Sequence, residues 1–116
     1  MDTTIQKYDA IFDPGSEIDY GRNWGDSSDG DAGWLQEGET IVTSSWEILA
    51  DKEKLPTLIE STQGHGIDTT SKITFIFLIG GTEGIQYRLT NKITTITTTG
   101  FSRTEKRTGI IYCCRK

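Results

Sequence analysis

The chain has 116 residues, enough for one domain and too few for two, and a domain of that size buries roughly two-thirds of its unfolded surface, so it needs neither disulfides nor metal to fold. Hydrophobic residues make up 34%, low for a globular protein, while Thr and Gly are abundant, the composition of strands and turns. A formal charge of −5 argues against nucleic acid as the main partner. No apolar run approaches the roughly 18 residues of a membrane span, and residues 1–9 lack a signal-like apolar stretch, so no membrane partner or signal-peptide route is expected.

Residues 1–12 are polar with a few apolar side chains and read as an N-terminal arm or a short edge strand; residues 13–116 read as the single folded domain. Asp13-Pro14-Gly15-Ser16 is a turn, because Pro presets φ and Gly tolerates positive values. Residues 17–24 form a predicted first strand anchored by Ile18, Tyr20 and Trp24. A long polar loop with three aspartates follows over residues 25–33, then Trp34-Leu35 and a turn at Gly38-Glu39. In the strand predicted over 40–49, Val42, Ser44, Trp46 and Ile48 share one face and Thr43, Ser45 and Glu47 the other. Residues 50–54 are a charged connector with room for one helical turn. Pro56 confines the short strand 55–61 to an edge or to a strand start, and 62–71 read as a loop.

Residues 72–79 are the most apolar strand, with Ile73, Phe75, Phe77 and Ile79 on one face and Ile76 and Leu78 on the other. A strand apolar on both faces is central or has its outer face covered. After the Gly-rich turn 80–84, residues 85–96 alternate, with Ile85, Tyr87, Leu89 and Ile93 inward. A hairpin around Gly100 leads to a last antiparallel strand, 104–114. Six or seven short strands without helical periodicity predict an all-β, antiparallel β-sandwich. Tyr87, opening a long strand after a Gly-rich turn, resembles the tyrosine corner of immunoglobulin-like sandwiches; a plain core tyrosine is the alternative.

Candidate chemistry is sparse. The single histidine, His65, lies between two glycines with no local partner to make it a general base. Asp26, Asp29 and Asp31 lack the spacing and the bidentate Glu of an EF-hand loop, and Cys113 and Cys114 are adjacent, which strains a mutual disulfide and offers no zinc pattern. No catalytic, cofactor-binding or metal-ligating residue is assigned, and the expectation is a binding protein rather than an enzyme. Trp24 and Trp34 flank the acidic loop and are read either as core residues with satisfied indole N–H groups or as interface anchors. The candidate interface set is Trp24, Trp34, Asp26, Asp29, Asp31, Ile76 and Leu78. Charge is uneven along the chain: residues 1–60 carry 14 acidic and 4 basic side chains, a balance of −10, and residues 61–116 carry 3 and 8, a balance of +5. That asymmetry suggests either chance or an acidic and a basic pole able to pack head to tail.

Two strings in this sequence resemble a known family. One is Asp13-Pro14, Asp19-Tyr20, Trp24, Trp34-Leu35, Gly38-Glu39-Thr40-Ile41 and Ser45-Trp46. The other is Gly80-Gly81-Thr82-x-Gly84-x-x-Tyr87 followed by Leu89-Thr90-Asn91-Lys92-Ile93-Thr94-Thr95. Together they are similar to the fibre–tail adaptor proteins of tailed bacteriophages, over about residues 13–111. The resemblance implies an immunoglobulin-like sandwich of about six to eight strands, built into the tail or neck of the virion and made in the bacterial host cytoplasm. It implies as partners a tail fibre or spike, a tail or portal-side adaptor or nozzle protein, and neighbouring copies in a ring. It brings no catalytic residue and no cofactor. The other classes weighed are a capsid decoration or glycan-binding sandwich, and a metal-binding or enzymatic domain. The loop over residues 25–33 is longer than the family pattern, and the end at Cys113-Cys114-Arg115-Lys116 departs from its apolar alternation.

Overall fold

A computed structural model describes residues 10–25 and 33–115. Seven strands are formed by the described residues: β1 (Ala10–Phe12), β2 (Glu17–Asn23), β3 (Thr40–Ala50), β4 (Leu58–Ile67), β5 (Ile73–Gly80), β6 (Gln86–Ile96) and β7 (Ser102–Cys113). They make a four-stranded sheet in the order β1-β7-β6-β3 and a three-stranded sheet in the order β2-β5-β4. All pairs are antiparallel except β1 on β7, where Ala10 lies beside Ile111 and Phe12 beside Cys113. The connectivity is that of an immunoglobulin sandwich: β2, β5 and β4 occupy the places of strands B, E and D, and β7, β6 and β3 those of G, F and C.

Two layers close because every second residue faces inward and most of these inward residues are apolar. Tyr87, Leu89 and Ile93 of β6 and Ile111 and Cys113 of β7 are buried from one side, Ile76, Leu78 and Leu58 from the other. Phe12 is also buried, so the last residue of the expected arm belongs to the core; residues 1–9 lie outside the described residues. Antibody domains set the strand-C tryptophan against a disulfide between strands B and F. Here Trp46 on β3 meets Tyr20 on β2 edge-on at 5.8 Å, and Leu89, two residues past Tyr87, joins the same cluster. Both cysteines are free, at the end of β7.

Three local expectations change. A bulge between Ile41 and Thr43 turns Val42 outward, to 52% exposure, and puts buried Ile41 on the inner face with Ser44, Trp46 and Ile48. β4 starts later and runs farther than 55–61, because a register shift between Glu60 and His65 absorbs the extra residues and lets Gly66 and Ile67 rejoin the ladder. The connector after β3 contains bends and no helical turn. Each sheet draws strands from both halves of the sequence, so among the described residues the acidic and basic halves interleave.

Candidate docking surfaces

Trp24 caps one end of the sandwich. Its indole N–H donates to Asn91 Oδ1 at 3.0 Å and lies 3.3 Å from Thr74 Oγ1, while Thr74 also donates to Asn91 Oδ1 at 2.6 Å. The Asn91 amide in turn donates to Ser44 Oγ and Ser45 O. Trp24, Thr74 and Asn91 are all buried, and a buried polar group needs such partners. Trp34 is half-buried; its ring packs edge-on to Trp24 at 5.5 Å and carries the Arg103 guanidinium 3.9 Å from its centroid.

Arg103 also grips Glu39 with two bonds, Nε to Oε2 at 2.8 Å and an Nη to Oε1 at 2.5 Å, and donates to Trp34 O at 3.2 Å. The Thr95 hydroxyl and the Gln36 N–H donate to the same carboxylate. Burial pushes the Glu39 carboxyl up, but the guanidinium and these donors outweigh it and hold it at about 2. At the opposite end, Tyr87 Oη donates to Glu53 at 2.8 Å, accepts from the Thr82 N–H at 2.9 Å and lies 2.9 Å from Thr57 Oγ1. A tyrosine near the start of the F-equivalent strand, bonded to backbone five residues upstream, is a tyrosine corner. Glu53 has no guanidinium: the Thr57 N–H, then the Thr82 hydroxyl and Tyr87, bring it to about 2. Both arrangements tie loops to the sandwich, and neither presents a free group to a substrate.

The outer face of β5 is different. Ile73, Phe75 and Phe77 are half-buried there and Ile79 is exposed, with Ile59 of β4 beside it at 52% exposure. Phe75 lies between Gly21 and Gly66 in register, and a Cβ on Gly66 would meet its ring at 3.0 Å. Above the Ile79 end, Glu17 of β2 accepts from Ser61 and from Gln63 at 3.0 Å. The result is an apolar strip with an acidic rim, of a kind monomeric surfaces rarely carry without use.

Of the residues singled out in the sequence, Trp24, Ile76 and Leu78 are core side chains, each at most 2% exposed. The period of two that puts Ile76 and Leu78 against Tyr87 and Leu89 puts Phe75, Phe77 and Ile79 on the outside. Trp34 is half-buried under Arg103. Asp26, Asp29 and Asp31 lie outside the described residues. His65 pairs with Glu60 at 2.7 Å. Among the described residues no group of three His, Cys, Asp or Glu side chains could hold a metal ion, and no helix is long and apolar enough to cross a membrane. Local pattern missed the Glu39–Arg103 grip: Glu39 reads as an ordinary turn acid, and its partner lies 64 residues away.

Residues 13–111 match the protein family described as "Podophage GP4 fiber-tail adaptor protein gp77". The chain belongs to this family of phage adaptors. The adaptor is therefore a structural protein of a phage tail, and membership of the family implies binding to other phage tail proteins. A comparison with curated proteins returned no match.

Proposed function

We propose that this adaptor attaches tail fibres or spikes to the tail or neck of the virion, standing in several copies around it so that weak contacts add. The family match supports the setting, and the single observation that carries the mechanism is the apolar outer strip of β5. A rigid two-layer sandwich anchored at both ends can offer that strip without rearranging, which lowers the ordering cost of association. The strip takes the fibre side, through apolar contacts bordered by Glu17 and Asp19 of β2; the N-terminal arm contacts the tail. Chemistry plays no part in this reading.

The test is co-migration of the purified chain with candidate fibre and tail proteins. Charging the strip, with Ile59→Glu and Ile79→Glu together, should lower fibre binding by at least about tenfold while circular dichroism stays that of the native sandwich. Removing residues 1–9, which leaves β1 in place, should weaken tail binding alone. Unchanged fibre binding in the doubly charged variant, or binding to capsid or glycan instead, overturns the assignment.

A further inference from the structure

The four-stranded sheet ends on β3, which pairs with β6 on one side and with no described strand on the other. Hydrogen-bonding groups alternate sides along an antiparallel strand. Asp51 N–H donates to Gln86 O, so Leu49, Glu47, Ser45 and Thr43 direct their backbone groups to β6, and Ser44, Trp46, Ile48 and Ala50 direct theirs off the edge. At the near end the Ile41 N–H is taken by Ser71 O, which fits the same alternation before the bulge; from Ser44 onward the row has no backbone partner among the described residues.

Exposed edges are normally blunted by charges, Pro, bulges or shortness. The other edges follow that rule. β1 has three residues; β2 carries Glu17, Asp19 and Arg22; β4 carries Glu60, His65 and a wide register shift. β3 has eleven residues, one charge (Glu47), no Lys and no Pro, and its bulge lies at the end that Ser71 already covers. Its outer face also leaves a charge unbalanced. Lys92 of β6 stands beside Ser45 and directly opposite Lys106 of β7, an unfavourable like-charge pair. Among the described residues neither lysine, nor Glu47, has an ion-pair partner.

We infer that β3 pairs edge to edge with β3 of a second copy of this chain, antiparallel about a twofold axis at Trp46, joining two four-stranded sheets into one of eight. This register opposes Trp46 to Trp46 and Ser44 to Ile48, and all of these residues have backbone groups on the open side. It sets Ser45 against Glu47 of the second copy as a close pair that exchanges no ladder bonds. That carboxylate then faces Lys92 across the small Ser45, a span of about 10 Å between backbones that two long side chains close. The twofold makes the contact twice. Centring the axis one residue later, on Glu47, would set the two glutamates face to face, and charge excludes it.

The inference does not rest on the fibre reading: loss of fibre binding with the dimer intact would count against that reading alone. The decisive experiment is sedimentation equilibrium of the intact chain, with hydrogen exchange at the Ser44, Trp46 and Ile48 amides. The wild type should be a dimer with those amides protected. Glu47→Lys alone and Lys92→Glu alone should each raise the dissociation constant at least about tenfold and release the amides, and the double exchange should restore both to near wild-type levels. Both side chains are solvent-facing, so native circular dichroism should persist in all three variants. A wild type that stays monomeric at every concentration overturns the inference. So does an oligomer indifferent to either reversal, or a double exchange that fails to restore pairing.

Discussion

The two ends of the sandwich solve one problem with different chemistry. Each holds a glutamate brought down to about 2 and each uses it to fix loops. Glu39 is 1% exposed and relies on a guanidinium; Glu53 relies on two threonines and a tyrosine hydroxyl. A charge withdrawn from water depends on its counter-charge, whereas a carboxylate at the surface shares its load among several neutral donors. The Glu39 end should therefore be brittle to single substitutions and the Glu53 end tolerant.

The largest expected effect is Arg103→Ala. It strands Glu39 in the core and removes the cation from Trp34, for a loss of about 3 kcal/mol, read from urea unfolding midpoints. Replacing both partners, Glu39→Leu with Arg103→Met, should cost less than Arg103→Ala alone; an equal or larger loss would mean the grip is not set by the stranded charge. Tyr87→Phe at the other end should cost about 1 kcal/mol, because Thr57 and Thr82 keep bonding Glu53. A cost as large as that of Arg103→Ala would erase the contrast.

Acid titration sharpens it further. Both carboxylates have folded values near 2, below their ordinary 4.5, so their contribution is fully present above about pH 4.5 and is lost as pH falls toward 2. In Arg103→Ala, Glu39 loses the group that opposed burial, so its part of the loss begins at higher pH; in Tyr87→Phe the acid limb should move little. Unfolding midpoints between pH 2 and 6 measure both. The smallest effect belongs to Arg107→Ala, whose guanidinium lies 5.5 Å from the Trp24 ring centroid and is itself 45% exposed: about 0.5 kcal/mol at most, from the same urea curves.

Alternation made much of this fold legible. In β6 the inward set Tyr87, Leu89 and Ile93 and the outward set Arg88 and Lys92 follow strictly from a period of two, and the turns at residues 13–16 and around Gly100 carry their own residue chemistry. Sequence failed where one residue breaks the period. Nothing in Thr40–Ala50 announces the extra residue at Val42, and the glycines around His65 read as a loop although the ladder resumes there. In β5 both faces are apolar, so pattern alone cannot say which is core; the tie is broken by Thr74, which must face inward to reach Trp24 and Asn91. Of the candidate surface, the strand was legible and the outward side chains on it were not. The Glu39–Arg103 grip escaped because its partners meet only after the B–C loop and the last strand are brought together.

The parallel pairing of β1 with β7 has a mechanical consequence. The first and last described strands are neighbours running the same way, so tension between the two ends of the domain pulls them in opposite directions along one axis. The bonds between Ala10–Phe12 and the end of β7, with the further bond from Cys114 N–H to Phe12 O, are then loaded together in shear instead of being peeled open one at a time. Buried Phe12 must be dragged out of the core in the same motion. A molecule bearing a load between its termini would yield abruptly and late, at a force set by that short terminal seam.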